Sequence, residues 1–145
     1  MRCVTASPNK VNANTELSVS AQIESAALCA LRTQLGGDAK SQLRFVRDFI
    51  DLWNTRAERL TTALALPDQE EAHIVLLSIR SSSMMVGAVV LEATASLIHS
   101  ALKSGDLAGC RRHLPRLTEV GALACGELSD LFALGEPGTG RGPRA

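Results

Sequence analysis

The sequence predicts an all-α protein folded as an up-and-down helical bundle. Along most of its 145 residues, apolar side chains recur at alternating steps of three and four, which is the period of a helix with one buried side. Short breaks rich in Gly, Pro and Asp separate these segments, and no stretch reads convincingly as a β-strand. Helices joined by short breaks pack as antiparallel neighbours around one core.

The pattern predicts five helical segments. The first covers residues 17–34 and ends at Gly36 and Gly37, since glycine is the usual residue just past a helix end. The second carries the most regular apolar stripe of the chain, with Phe49 and Trp53 near its centre. The last four segments are predicted over residues 38–66, 68–87, 88–103 and 106–134.

Aspartates stand where three of these helices should begin. Asp38, Asp68 and Asp106 are each predicted to cap a helix, and Glu71 completes a capping box with Asp68. Pro115 lies inside the last segment and is predicted to kink or split it. The bundle should therefore occupy residues 15–134 as a single domain, with a flexible leader at 1–14 and a disordered tail at 135–145.

Composition restricts the function. Lys plus Arg and Asp plus Glu both number 15, so the basic excess typical of nucleic-acid binding is missing. The apolar runs are too short to span a membrane, and no signal-peptide core is evident, which predicts a cytoplasmic protein. The four cysteines form no Cys-x-x-Cys pair, so we expect reduced thiols and no zinc knuckle.

The central segment carries a motif. Residues 78–88 read Ser-Ile-Arg-Ser-Ser-Ser-Met-Met-Val-Gly-Ala. This stretch resembles the central motif of the histidine-containing phosphotransfer (HPt) domain: His, a small residue, Leu, Lys, Gly, Ser, Ser, two variable residues, an aliphatic residue, Gly. The Ser-Ser pair and Gly87 fix the alignment, which puts Arg80 at the Lys position, Ser81 at the first Gly position and Leu77 at the position of the histidine.

The resemblance has consequences for fold and chemistry. It implies four antiparallel helices preceded by a short helix that covers one end. In that family the histidine carries a phosphoryl group and the following cation neutralises its charge. Leu77 has no nucleophilic nitrogen, so phosphotransfer cannot occur at that position. The sequence therefore predicts a non-enzymatic binding protein without a cofactor, a degenerate HPt domain.

The resemblance also indicates a docking face. On the family fold, the side of the helix that bears the motif is exposed and meets a response-regulator receiver domain or a histidine kinase. The predicted contact residues are His73, Leu77, Arg80, Ser81 and Met84. An apolar pair such as Leu77 and Met84 on this face is typical of a protein-binding patch. Cover by the protein's own N-terminal segment or by a second copy, as in a homodimer, is the other interpretation.

Two alternative functions stay open from the sequence. In the first, His73, one turn before Leu77, is the phosphate acceptor of an active phosphotransfer protein, although Arg80 stands about 10 Å further along the helix. In the second, the chain is a helical adaptor or homo-oligomer unrelated to phosphorelay. A metal site is disfavoured because Glu70-x-x-His73 has no second copy in the chain, as a di-iron bundle requires. His99 and His113 are predicted to have structural or solvated roles.

Overall fold

The computed structural model describes residues 22–134, and all of its regular elements there are helices, which confirms the predicted all-α bundle. The helices are α1 (Ser25–Gln34), α2 (Ala39–Ala65), α3 (Gln69–Val86), α4 (Val89–Lys103) and α5 (Leu107–Leu131). The predicted leader, the predicted tail and the first residues of the predicted first helix lie outside the described residues.

Helices α2 to α5 form the four-helix bundle. Each packs against the next, and α5 closes the ring by packing against α2. Connections of two or three residues join them, so consecutive helices run antiparallel. The short α1 packs against α2 and α3. Most of the buried side chains in the core are aliphatic, and Phe49 and Trp53 of α2 pack among them.

The three predicted aspartate caps are present. Asp38 accepts from the backbone N–H of Lys40 at 3.1 Å. Asp68 accepts from Glu71 at 3.1 Å and Asp106 from Gly109 at 2.8 Å. The Glu71 carboxylate instead binds Arg59 of α2, with 2.7 Å between Nη2 and Oε2. The second half of the predicted capping box is therefore replaced by an ion pair that joins α2 to α3.

The first helix begins later than predicted. Ile23 forms an antiparallel bridge with Ala88, and the N–H of Glu24 donates to the carbonyl of Gly87 at 2.8 Å. Residues 22–24 are not helical, so the prediction is wrong over this stretch. Their backbone pairs with the α3–α4 connection, a contact that helical periodicity cannot reveal. Gly87, at φ 77°, permits this approach, since a Cβ there would lie 2.6 Å from the Glu24 carbonyl oxygen.

Pro115 does not split α5, which is one helix from Leu107 to Leu131. The exposed ring lies on the outer side of the bundle. Before it, the guanidinium of Arg111 donates to the carbonyl of Leu64 at the end of α2, at 2.8 Å. After it, Gly121 lies directly against the ring of Trp53. Both halves of α5 thus contact α2, which supports the continuous helix despite the missing backbone N–H of Pro115.

The cysteines differ in their oxidation state. Cys110 and Cys125 are free thiols, whereas Cys29 is disulfide-bonded, so the prediction of reduced cysteines is wrong at Cys29. The spacing of the cysteines in the sequence gave no sign of this bond.

None of the helices within residues 22–134 combines the length and the apolar character that crossing a membrane requires.

Candidate protein-docking site

The predicted docking residues lie on the side of α3 that faces away from the core. Leu77 exposes 46% of its surface and Met84 exposes 58%, and Ser81 is also exposed. The buried residues of α3, from Ala72 to Val86, lie on the opposite side. The exposure of Leu77, which the sequence left open, is therefore a feature of the fold.

The exposed apolar surface of α3 is larger than predicted. Ile74 and Met85 of α3 are also exposed, at 51% and 38% of their surfaces. Helical spacing puts both residues beside Leu77 and Ser81, around the helix on the side away from α4. The sequence prediction missed them because it followed only the stripe that begins at His73. We define the docking face as Ile74, Leu77, Ser81, Met84 and Met85.

A chain of polar side chains runs along the edge of this face, where α3 meets α4. Nε of Arg80 lies 3.1 Å from Oε2 of Glu92. Nη1 of the same guanidinium lies 3.0 Å from Nδ1 of His99. Nε2 of His99 in turn lies 2.8 Å from Nδ1 of His73. Arg80 and His73, seven residues apart, are thus connected through His99, although the sequence indicated that they were too far apart to act together.

The direction of these hydrogen bonds fixes the tautomers. Arginine has only N–H donors, so Nδ1 of His99 must accept and the hydrogen of its neutral ring must be on Nε2. That Nε2–H then donates to Nδ1 of His73. The neutral ring of His73 therefore carries its hydrogen on Nε2. Donation runs in one direction, from Arg80 through His99 to His73.

His99 is buried, with 1% of its surface exposed. Burial, followed by the electrostatic effect of the basic groups Lys103, His73 and Arg80, lowers the pKa of His99 below its ordinary value of 6.5. The ring is consequently neutral at pH 7, as the hydrogen bonds require. Of the structural or solvated roles predicted for His99, its burial agrees with the structural one, but its link to the docking residues was missed.

A signal for this link exists in the sequence. His73 and Arg80 are seven residues apart on α3, and Glu92 and His99 are seven residues apart on α4. Two facing antiparallel helices bring such pairs together, His73 opposite His99 and Arg80 opposite Glu92. The spacing could have been used only after α3 and α4 had been paired in the correct register.

The opposite edge of the face, where α3 meets α2, carries a second arginine. Nη1 of Arg56 donates to Oγ of Ser82 at 3.2 Å, and Ser82 donates to the carbonyl of Ser78 at 2.7 Å. Burial lowers the pKa of Arg56, and the charge of Arg59 adds to this. Ser83, the last of the three serines, is buried in the core with an Oγ that has no partner among the described residues. The serines therefore serve as small packing residues and as a contact for Arg56.

The described residues contain no group of three or more His, Cys, Asp or Glu side chains placed to hold a metal ion. His73 and His99 form a hydrogen-bonded pair with ring centroids 4.7 Å apart. Glu92, the nearest carboxylate in the chain of contacts, is engaged by Arg80.

Comparison with known proteins supports the fold. No family model and no curated protein matches the chain. Among solved structures, the chain is similar to the crystal structure of the HPt domain of a hybrid sensor histidine kinase from Shewanella. The two share 15% sequence identity at a TM-score of 0.64, over 81% of this chain and 98% of that domain.

The fold is therefore that of an HPt domain, and the resemblance seen in the sequence is confirmed at this level. The four-helix bundle, the short helix that precedes it and the exposed face of α3 agree with what the resemblance implied.

Proposed function

We propose that this protein is a pseudo-HPt protein of a two-component phosphorelay, which binds a receiver domain or a histidine kinase module through α3 without carrying phosphate. The observation that carries the proposal is the position and exposure of Leu77. Its side chain is exposed on a helix of an HPt-type bundle, at the position that the motif assigns to the phosphoryl-accepting histidine. A leucine cannot accept a phosphoryl group, but with Met84 it provides an apolar surface for docking.

The composition of the face fits a protein partner. Its centre consists of apolar and hydroxyl side chains, and its two edges each hold an arginine, Arg80 beside α4 and Arg56 beside α2. Apolar centres with polar, positively charged rims suit acidic protein surfaces. Binding of this kind would sequester the partner or compete with a true phosphotransfer protein in the cytoplasm.

The first alternative, phosphotransfer through His73, is disfavoured by the hydrogen-bond chain. Nδ1 of His73 uses its lone pair to accept from His99, and Nε2 of the neutral ring carries the hydrogen. Neither nitrogen then offers a free lone pair to a phosphoryl group. The second alternative, a helical adaptor or homo-oligomer without a phosphorelay partner, is distinguished by experiment.

The test compares two leucine-to-aspartate variants. Leu77→Asp places a charge in the docking face, whereas Leu131→Asp places one at an exposed position of α5, a helix that does not pack against α3. Affinity is measured by calorimetry against purified receiver domains and kinase modules from the source organism. We expect Leu77→Asp to weaken binding at least tenfold, and Leu131→Asp to leave it unchanged.

Equal affinity of both variants would defeat the proposal. Binding to no receiver or kinase module, together with self-association in sedimentation experiments that Leu77→Asp abolishes, would favour the homo-oligomer. Sedimentation of the free protein is therefore measured in the same series.

A further inference from the structure

His99 lies behind the docking face and contacts His73 and Arg80, two of the residues that the sequence analysis predicted for docking. It accepts from Arg80 and donates to His73, yet is itself buried. Because His73 and Arg80 belong to α3 and His99 belongs to α4, the imidazole joins the two helices at the edge of the docking face.

We propose that His99 is a positioning residue for docking: while neutral, it holds Arg80 and His73 in place at the edge of the face, and uptake of a proton by His99 releases them. The proposal rests on the proposed function, because it concerns the same face. It adds that partner binding depends on pH through a buried residue that does not touch the partner.

The reason is the polarity of the hydrogen bonds. If His99 gains a proton, its Nδ1–H faces the N–H of Arg80, and two donors oppose each other. The chain of hydrogen bonds is therefore intact only when the His99 ring is neutral.

The basic groups around His99 also favour its neutral form. Arg80 and His73 face His99 from α3, and Lys103 stands one turn further along α4, so a proton on His99 would join three basic groups. Glu92 is the one carboxylate among these hydrogen-bonded side chains, and it forms an ion pair with Arg80. At the contact with α5, the thiol of Cys110 donates to the carbonyl of Ile98, and the backbone N–H of Asp106, at the start of α5, donates to the carbonyl of Ala101.

Two substitutions separate positioning from simple packing. The amide of His99→Gln has an oxygen that can accept from Arg80 and an N–H that can donate to His73, but it does not titrate. The side chain of His99→Leu fills the buried space and makes neither hydrogen bond. Far-UV circular dichroism and thermal unfolding verify that each variant is folded.

The first measurement is independent of any partner. Nitrogen-15 NMR of the histidine rings at pH 7.5 should show a neutral His99, with the ring hydrogen on Nε2 in both His73 and His99. A hydrogen on Nδ1 of either ring, or a charged His99 at this pH, would overturn the proposal even if receiver binding were demonstrated.

The second measurement is the dissociation constant, at pH 7.5 and 5.5, for the receiver domain or kinase module that binds the wild-type chain. At pH 7.5 we expect His99→Gln to bind within about twofold of wild type and His99→Leu to bind about tenfold more weakly, the loss typical of one or two charge-assisted hydrogen bonds. The weakening from pH 7.5 to 5.5 should be smaller in His99→Gln than in wild type. Equal affinity and equal pH dependence in all three proteins would refute positioning by His99.

These results can fail separately. If neither a receiver nor a kinase module binds, the proposed function is wrong, while the ring tautomers still test the hydrogen-bond chain. If His99→Leu does not fold, the NMR measurement and the pH dependence of His99→Gln decide the matter.

Discussion

Leu77 and Arg80 lie one turn apart on α3 but face different surroundings: Leu77 is exposed to solvent, whereas the guanidinium of Arg80 is held between Glu92 and His99. The HPt-type motif places the phosphoryl acceptor at the first position and a neutralising cation at the second. Under the alignment on which the proposed function rests, the chain has a cation at the second position, and its first position is exposed but holds a leucine, which has no nucleophilic nitrogen.

The first prediction restores the acceptor. Leu77→His should put an imidazole on the exposed side of α3, one turn before Arg80, without disturbing the core, because Leu77 is not buried. Incubation with a phosphorylated receiver domain should then leave acid-labile phosphate on the variant, detected by phosphate-affinity electrophoresis. The double variant Leu77→His/Arg80→Gln is the control and should gain less phosphate. Absence of phosphate on a folded Leu77→His that still binds would show that more than the acceptor is missing.

The second prediction concerns stability and pH. The pKa of His99 is lower in the folded protein than its ordinary value of 6.5, so the unfolded chain binds the proton more readily. The neutral ring contributes its full stabilisation above about pH 6.5, and this is lost as the pH falls from there towards the folded pKa. Urea unfolding between pH 7.5 and 5 should show a smaller decrease in unfolding free energy for His99→Gln than for wild type.

The matched control for this series is His113→Gln on α5, whose imidazole takes no part in the chain that joins α3 to α4. Between pH 7.5 and 5, the unfolding free energy of His113→Gln should therefore decrease more than that of His99→Gln, as it does in wild type. An identical pH dependence in wild type and His99→Gln would contradict the assignment.

The third prediction uses two glycines of α5. A Cβ at Gly121 would overlap the buried ring of Trp53, whereas at Gly126 it would meet nothing within 4 Å. Gly121→Ala should therefore lower the free energy of unfolding by about 1 to 3 kcal/mol. Gly126→Ala should raise it by up to about 1 kcal/mol through helix propensity. Chemical denaturation of both variants gives the comparison, and similar effects would be inconsistent with the packing of Trp53.

The fourth prediction concerns the contact between the N-terminal segment and the α3–α4 connection. Gly87 and Gly105 both have φ 77°, but only a Cβ at Gly87 would collide with another part of the chain, the backbone of Glu24. Gly105→Ala should cost about 1 to 2 kcal/mol for the left-handed conformation alone. Gly87→Ala should cost more, and amide exchange at Glu24, whose N–H donates to Gly87, should become faster. Equal costs and unchanged exchange would show that the contact contributes little.

The parts of the fold that local chemistry determines were predictable from the sequence. Apolar periodicity located the helices, and Asp38, Asp68 and Asp106 marked the starts of α2, α3 and α5, because a carboxylate that accepts from an exposed backbone N–H acts within a few residues. The start of α1 was not predictable, since it depends on pairing between Ile23 and Ala88, far apart in the chain.

Only part of the candidate site was predictable from the sequence, namely the part that lies on one helix. A single helix carries Leu77, Ser81 and Met84, so spacing alone placed them on one exposed face. The contact of His73 with His99 joins residues 26 positions apart and requires the relative register of α3 and α4. Helical periodicity assigns a residue to a face but does not identify the side chain across from it.

The most direct test of the account is to incubate the purified wild-type protein with phosphorylated receiver domains from its own source and to measure complex formation and acid-labile phosphate in the same samples. The account predicts a complex in which the protein carries no phosphate, with Leu77→His as the positive control for transfer. Phosphate on the wild-type chain that is lost in His73→Ala would contradict it and would identify His73 as the acceptor.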